Sequence, residues 1–212
     1  MNIVMMGIQG SGKGTQAKML SAHLGLPHVS VGDLFRDNIA KGTVLGLKAK
    51  SYMDKGALVP DTIVINMVRD HLDRPDMRGG FILDGFPRNG VQLAAMELLK
   101  PVDHAVLLEL DEETAVKRLG NRSECRKCAI IYGPNRVPRS PGICDECGGP
   151  LTVRHDDKDV EAVNQRFRIY QQEISVLVSY YDWKGVLRRV DANGTQDSVF
   201  QAIVAAIEGR RV

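Results

Sequence analysis

A glycine-rich run near the amino terminus has the residue types and spacing that bind phosphate. It reads GIQGSGKGT over residues 7–15, after an apolar stretch and before a helical pattern at residues 13–24. Glycines let the N–H groups of a loop wrap around an anion, the helix N-terminus adds positive potential, and a lysine supplies a further cation. This context favours a phosphate site over a ligand-free turn. The candidate residues are Gly10, Ser11, Gly12, Lys13, Gly14 and Thr15.

The four cysteines of the chain form a second candidate site. Cys125 and Cys128 are separated by two residues, as are Cys144 and Cys147, and fifteen residues lie between the two pairs. This spacing is typical of a structural zinc module, in which four thiolates fill a tetrahedron and leave no open position for catalysis. Thiolate softness and geometry also admit iron or cobalt. One alternative is a disulfide pair, which a reducing compartment disfavours. The other is a thiol redox switch, which needs an isolated cysteine of low pKa.

A third candidate is the carboxylate of Asp84, which ends the apolar stretch FILD. In phosphate-loop enzymes a carboxylate at the end of a neighbouring strand orients a magnesium ion or its waters. An isolated Asp at this position is also common in turns, so the sequence leaves both interpretations open.

These residues need a scaffold, and the apolar pattern indicates an α/β fold. Five strand-like stretches alternate with helical patterns, which favours a parallel five-stranded sheet with helices on both faces, of the phosphate-loop NTPase type. The predicted strands are residues 2–6, 28–31, 80–83, 104–110 and 186–190.

Two segments interrupt this alternation. Residues 30–60 carry two short helical stretches, 33–40 and 45–54, with no strand between them, and residues 122–157 are rich in Gly, Pro, Cys and Arg. We expect a core built from residues 1–29, 61–121 and 158–212, with the two segments as inserted modules. Within the core, long helices are predicted at residues 112–122 and 159–184.

Composition limits the classes of partner. Hydrophobic residues make up 43% and charged residues 25% of the chain, and 28 Lys and Arg against 26 Asp and Glu give a formal charge of +2. So small a net charge produces no strong overall electrostatic attraction to nucleic acid or membranes. No stretch is apolar enough to span a bilayer. The amino-terminal residues do not resemble a secretory leader, so a cytoplasmic location is expected.

Several motifs together resemble the adenylate kinases, which belong to the nucleoside monophosphate kinases. The resemblance extends over residues 1–206 and implies transfer of a phosphoryl group from Mg-ATP to AMP by a monomer, with ATP, AMP and ADP as its small-molecule partners. Val31 and Gln9 depart from the family pattern, which usually has threonine and proline there. The matching stretches are GIQGSGKGTQ, VGDLFR at 31–36, LVPD at 58–61, DGFPR at 84–88, Arg154 with Asp156 and Asp157, and Arg166.

The resemblance implies a role for each matching residue. Gly10 to Thr15 hold the ATP phosphates, magnesium lies near Asp84 and Asp33 through water, and the transferring group is surrounded by Lys13, Arg88, Arg122, Arg154 and Arg166. Further implied ATP contacts are Arg118, Ile131, Tyr132 and the backbone of Gln196. The implied AMP contacts are Val31, Arg36, Ala57, Leu58, Val59, Gly85, Phe86, Pro87, Arg88, Gln92, Arg154 and Arg166.

Three other functions remain open at the level of sequence. The first is a kinase for GMP, UMP or CMP, although Gln92 suits adenine because an amide both donates and accepts hydrogen bonds. The second is a zinc-ribbon protein that binds nucleic acid, which the near-neutral charge disfavours. The third is a nucleotide sensor without catalytic activity.

Overall fold

The computed structural model describes residues 1–53, 59–134, 136–153 and 160–209. The strands are β1 (Asn2–Gly7), β2 (His28–Ser30), β3 (Phe81–Asp84), β4 (His104–Glu109), β5 (Ser123–Cys125), β6 (Ile131–Tyr132), β7 (Leu151–Thr152) and β8 (Leu187–Asp191). The helices are α1 (Lys13–Leu24), α2 (Val31–Ala40), α3 (Val44–Met53), α4 (Asp61–Leu72), α5 (Gly90–Leu99), α6 (Glu112–Gly120), α7 (Val160–Trp183) and α8 (Gln196–Ile207). A 3-10 turn covers Pro75–Met77.

The main sheet has five parallel strands in the order β2-β3-β1-β4-β8. Alternate side chains of β1 enter two separate apolar clusters, because successive residues of a strand point to opposite faces. Val4 and Met6 pack with residues of α4, α5 and α7, whereas Ile3 and Met5 pack with residues of α1 and α8. The sheet is therefore covered by helices on both faces, which confirms the predicted fold class.

Helix α6 ends earlier than the sequence pattern predicts. Its N-cap is Asp111, as expected, and the Asp111 carboxylate accepts a hydrogen bond from the N–H of Thr114 at 2.8 Å. The helix stops at Gly120, where Asn121 forms the C-cap and donates its side-chain amide to the carbonyl of Lys117 at 2.9 Å. Arg122, the predicted last residue of this helix, consequently lies beyond it, and the predicted end is two residues too late.

The segment after α6 forms a small antiparallel sheet of three strands in the order β6-β5-β7. Its core consists of Cys125, Tyr132 and Cys144, with Ile130 and Leu151 packed against them. No periodic pattern is visible in the sequence here because these strands are only two or three residues long.

Helices α2 and α3 occupy the first predicted insertion. Helix α2 begins at Val31, so the predicted second strand is one residue too long, and its N-cap is Ser30, whose hydroxyl accepts from the N–H of Asp33 at 3.3 Å. No helix in the described ranges combines the length and apolar character needed to cross a membrane.

Candidate active site and metal centre

The glycine-rich loop follows β1 and leads into α1, as the sequence predicts. Gly10 and Gly12 adopt left-handed conformations, with φ of 88° and 92°. A Cβ atom on Gly10 would lie 2.8 Å from the backbone oxygen of Ala115, and one on Gly7 would lie 2.7 Å from that of Leu108. The loop therefore packs so closely against β4 and α6 that only glycine fits these positions.

Lys13 lies half-buried at the start of α1. Its ammonium donates hydrogen bonds to the carbonyls of Gly7 at 2.7 Å and Ile8 at 2.9 Å, which hold the side chain across the loop. Burial lowers the pKa of Lys13 to about 8, the nearby Asp84 carboxylate opposes that shift, and the positive charges of Arg88 and Arg122 add to it. A further anion beside this ammonium would relieve the unfavourable charge.

Arg88 connects this cluster to α7. Its Nε donates to the carbonyl of Gly85 at 2.8 Å. Arg88 is exposed to solvent as a residue, but neighbouring protein atoms partly desolvate its guanidinium and lower its pKa. Asp84 raises this pKa, and the charge of Arg166 lowers it further. Arginine remains charged in spite of such shifts. Lys13 therefore has Arg88 and Arg122 as neighbouring cations, and Arg88 has Arg166. The Asp84 carboxylate acts on both Lys13 and Arg88. Arg154, the fifth predicted cation, lies outside the described residues.

Two polar atoms of the loop are buried without a hydrogen-bond partner among the described residues. They are the hydroxyl oxygen of Ser11 and the amide oxygen of Gln9. Buried polar atoms normally have a partner, and an exception marks either strain or a site for a bound group. The Ser11 hydroxyl lies within the predicted phosphate loop, which fits a ligand there.

Asp84 lies at the carboxyl end of β3, beside the same loop. A Cβ atom on Gly14 would lie 3.3 Å from Oδ2 of Asp84. Gly14, which stands where Ser or Thr is usual in such loops, therefore leaves room for this carboxylate against α1. A carboxylate next to a phosphate site is the type of donor that magnesium prefers, so the residues fit the expected ion.

Gln92, in the first turn of α5, is buried, with an exposed fraction of 5%. Its Nε2 donates to the carboxylate of Asp61 at 2.6 Å, and its Oε1 accepts from the backbone N–H of Arg88 at 2.8 Å. Asn89 also donates to both oxygens of Asp61 at 3.1 Å. The amide of Gln92 is thus held between a charged acceptor and a backbone donor.

The other predicted AMP residues come from several segments of the chain. Val31 and Phe86 are buried and Val59 packs against the same apolar cluster. Pro87 is buried and Gly85, with φ of 86°, brings the backbone close to Arg88. Arg36 is exposed on α2, where it pairs with Asp33, one of the two carboxylates predicted near magnesium. Ala57 and Leu58 lie outside the described residues.

The remaining predicted ATP residues lie in two places. Arg118 donates to the carbonyl of Ala192 at 2.9 Å, just after β8. The backbone carbonyl of Gln196, at the start of α8, accepts from Nε2 of Gln16 at 2.9 Å. Ile131 and Tyr132 belong to β6, and Tyr132 is buried in the cysteine-containing core with 1% of its surface exposed. An adenine contact of Tyr132 stays a prediction.

The four cysteine sulfurs lie together, all within 4.8 Å of one another. Cys125 and Cys147 are 3.4 Å apart, Cys128 and Cys144 3.5 Å, and Cys128 and Cys147 3.3 Å. A disulfide bond needs about 2.05 Å. Four thiolates around zinc, with bonds of about 2.3 Å, would lie about 3.8 Å from one another. All four cysteines are free, and their arrangement fits a tetrahedral metal ion.

Polar groups around the sulfurs support a charged cluster. The Tyr132 hydroxyl donates to Sγ of Cys144 at 3.5 Å and accepts from the N–H of Asp145 at 2.8 Å. Burial raises the pKa of Cys144, but the Tyr132 hydroxyl and the N–H groups of Glu146 and Cys147 outweigh it and bring the value to about 6. Such outer hydrogen bonds orient metal ligands and stabilise their thiolate form.

Three contributions to the sites were missed in the sequence. Asp61 accepts from the side-chain amide of Gln92, and Asn89 donates to the same Asp61 carboxylate. The Tyr132 hydroxyl contacts a cysteine sulfur. Asp61 does belong to the motif LVPD, but a motif does not reveal which distant side chain its carboxylate contacts.

The fold and the loop define a nucleotide-binding protein of the phosphate-loop class. A family model described as adenylate kinase matches residues 5–186. The chain is 45% identical to an adenylate kinase of Archaeoglobus fulgidus, over 98% of both chains. It is 42% identical to adenylate kinases of Agathobacter rectalis and Thermodesulfovibrio yellowstonii, over 98% of this chain and 99% of each of theirs. The chain belongs to the adenylate kinase family.

Proposed function

We propose that the chain transfers the terminal phosphoryl group of Mg-ATP reversibly to AMP, giving two molecules of ADP. The observation that carries this proposal is the Lys13 ammonium, which lies across the phosphate loop with Asp84 and the cations Arg88 and Arg122 near it. Phosphoryl transfer spreads negative charge over the migrating group, so it requires positioning and cations rather than a covalent nucleophile.

The ATP phosphates bind in the loop of Gly10 to Thr15, where N–H groups and the Lys13 ammonium meet them. Arg88 contacts phosphates of both substrates, while Arg122 and Arg166 neutralise charge on the migrating group. Arginine suits this task because its planar fork matches two phosphate oxygens at once. Arg118 and the backbone of Gln196 lie beside the ATP base, with Ile131 and Tyr132 nearby, and Arg154 adds a cation from the segment after β7.

AMP binds on the side of α2 and α5. Gln92 contacts the base with its amide, and Val31, Val59 and the backbone of Ala57 and Leu58 enclose the nucleoside. Gly85, Phe86 and Pro87 form the wall next to Arg88. Arg36 exchanges its partner Asp33 for the AMP phosphate, since both are exposed and such an ion pair contributes little.

Two metals belong to this proposal. Asp84 and Asp33 would hold magnesium through water molecules, and the ion would neutralise charge on the ATP phosphates. Cys125, Cys128, Cys144 and Cys147 hold zinc, with iron or cobalt as the alternatives, and this metal is structural because the four ligands leave no open position. It stiffens residues 122–157 as a lid that excludes water from the transferring group.

The same proposal assigns residues 30–60 to AMP binding, and residues 1–29, 61–121 and 158–212 to the core. A monomeric state and a cytoplasmic location stay predictions.

The test is an assay of purified protein for ADP formed from Mg-ATP and AMP, with GMP, UMP and CMP supplied in parallel. We expect turnover with AMP well above that with the other monophosphates. Lys13→Met and Arg88→Met should each lower the rate by about a thousand-fold or more, since both remove a cation from the migrating group.

Circular dichroism of both variants serves as the control for folding. A preference for GMP, UMP or CMP would replace the proposal by the corresponding kinase. Rates of Lys13→Met and Arg88→Met equal to that of the unmodified protein would remove the roles assigned to these residues.

A further inference from the structure

The carboxylate of Asp61 joins the start of α4 to the start of α5. It accepts from Nε2 of Gln92 at 2.6 Å and from Nδ2 of Asn89 at 3.1 Å to each oxygen. The two donors lie 31 and 28 positions away in the sequence. A distance of 2.6 Å between an amide and a carboxylate indicates a strong, charge-assisted hydrogen bond.

This contact fixes which way round the Gln92 amide lies. A carboxylate can only accept, so the NH2 group must face Asp61, and the backbone N–H of Arg88 can only donate, so Oε1 must face Arg88. Asn89 is fixed in the same manner, because its Oδ1 accepts from the N–H of Gln92 at 2.9 Å while its NH2 group faces Asp61. If the Gln92 amide were rotated by 180°, its Oε1 would face the Asp61 carboxylate and its NH2 group would face the N–H of Arg88.

Each amide atom keeps one hydrogen-bonding position for a ligand. Nε2 has a second N–H and Oε1 has a second lone pair, so Gln92 presents one donor and one acceptor in a fixed order. Adenine presents the complementary pair, an exocyclic amino group that donates and an adjacent ring nitrogen that accepts. A 6-oxopurine has a carbonyl in place of the amino group and a protonated ring nitrogen beside it, which reverses the order.

We propose that Asp61 is a specificity-determining positioning residue, which holds the Gln92 amide in the orientation that accepts 6-aminopurine monophosphates and opposes 6-oxopurine monophosphates. The inference rests on the proposed function, in which Gln92 contacts the base of AMP. Asp61 acts through Gln92 and does not touch the substrate itself.

The test compares kcat/KM for AMP and for inosine 5′-monophosphate, which differ only at the two base positions that the amide contacts. Asp61→Asn keeps the shape of the side chain but can donate as well as accept, so it tolerates either orientation of Gln92. We expect the ratio of AMP to inosine monophosphate to fall by about ten-fold, because the N–H of Arg88 still favours the original orientation. The KM for AMP should rise while kcat changes little.

Two further variants separate positioning from a general structural effect. Asp70→Asn removes an exposed carboxylate from the same helix, where it pairs with Arg69 at 3.5 Å, and it should leave the ratio unchanged. Gln92→Ala should lower the ratio by itself. In the Gln92→Ala protein, the additional change Asp61→Asn should have no more than about a two-fold effect, because positions that act through one side chain are not additive.

Each outcome has a distinct meaning. An unchanged ratio in Asp61→Asn, together with a lowered ratio in Gln92→Ala, would overturn the role of Asp61 and leave the proposed function intact. If Asp61→Asn lowered the ratio equally in the unmodified protein and in the Gln92→Ala protein, the role of Asp61 would also be overturned. An unchanged ratio in Gln92→Ala would remove the role of Gln92 as well, and absence of AMP turnover in the unmodified chain would remove the proposed function.

Folding is checked by thermal melting of each variant. If Asp61→Asn does not fold, Asn89→Ser takes its place, since serine keeps a capping oxygen for α5 and removes the amide donor to Asp61. A smaller fall of the ratio, about three-fold, is expected for this variant. An unchanged ratio in folded Asn89→Ser would contradict the proposed network.

Discussion

Lys13 carries a positive charge in surroundings that disfavour it. Burial and the charges of Arg88 and Arg122 lower its pKa to about 8, despite the opposing effect of Asp84. The same lysine has a higher pKa in the unfolded chain. Below pH 8 it is charged in both states, so the folded state bears the full unfavourable free energy of burying the ammonium. Between pH 8 and the unfolded pKa this unfavourable free energy diminishes, and the folded state becomes more stable as the pH rises. A bound phosphate group would stabilise the charged form of Lys13, because it places an anion beside the ammonium.

We expect the affinity for Mg-ATP to fall as the pH rises above about 8, because binding then requires uptake of a proton by Lys13. The dissociation constant should increase by up to about ten-fold per pH unit. Calorimetric titrations between about pH 6.5 and 9.5, in buffers of different ionisation enthalpy, measure both the affinity and the proton uptake. Lys13→Arg is the control, since its guanidinium stays charged throughout this range. A constant affinity of the unmodified protein up to pH 9.5 would contradict the expectation.

The sequence predicts those site residues whose chemistry is local. The loop around Lys13 and the paired cysteines are recognisable because a short spacing already determines their geometry. Asp61 could not be assigned in this way, since its partner Gln92 is 31 positions away and only the packing of α4 against α5 brings them together. The contact between Tyr132 and Cys144 depends likewise on the fold of the small sheet.

At the scale of elements, an ion pair fixes the end of α7 to α5. Nζ of Lys184, just after α7, lies 2.5 Å from a carboxylate oxygen of Glu97, and the two side chains are only 24% and 18% exposed. Helix α7 also carries Arg166, and Gln92 lies in the first turn of α5. The pair therefore stabilises the relative position of two helices that contribute to opposite parts of the proposed site.

We expect Lys184→Met to lower the free energy of unfolding by about 1–2 kcal/mol, because Glu97 would keep a partly buried charge without its partner. The matched control is Lys117→Met in α6. The Lys117–Glu113 pair has a similar distance of 2.6 Å, but its side chains are 69% and 79% exposed, so no measurable loss is expected. Urea denaturation of the three proteins measures the difference, and equal stability of both variants would contradict the expected effect of burial.

The elements themselves were predicted well where they are long or apolar. Helix α1 has the predicted bounds, and the five core strands differ from prediction by one residue at one or both ends. The buried strands are recognisable because they read as continuous apolar runs. The C-terminus of α6 was missed because the capping contact of Asn121 competes with the helical pattern. Strands β5, β6 and β7 were missed because two or three residues are too few to show a period.

At the scale of the whole molecule, the candidate site lies where the parallel strands end. The phosphate loop follows β1, Asp84 ends β3, and the carbonyl of Ala192, which contacts Arg118, follows β8. Since parallel strands all end at one edge of the sheet, segments distant in sequence meet there. The cysteine-containing sheet also reaches the core, because Lys18 of α1 donates to the carbonyl of Ala129 at 2.9 Å.

Removing metal from the cysteine centre should destabilise the small sheet and leave the main sheet folded. Within the described part of the chain, the cysteines share no apolar cluster with the five parallel strands. We expect zinc-reconstituted protein to lose at least about 5 °C in Tm when a chelator removes the metal, with only a modest loss of affinity for ATP, whose phosphates bind in the core. Differential scanning calorimetry with metal analysis measures both states. Cys144→Ser, which lacks one ligand, should melt near the metal-free temperature and respond little to chelator. An unchanged Tm after verified metal removal would show that the centre does not stabilise the fold.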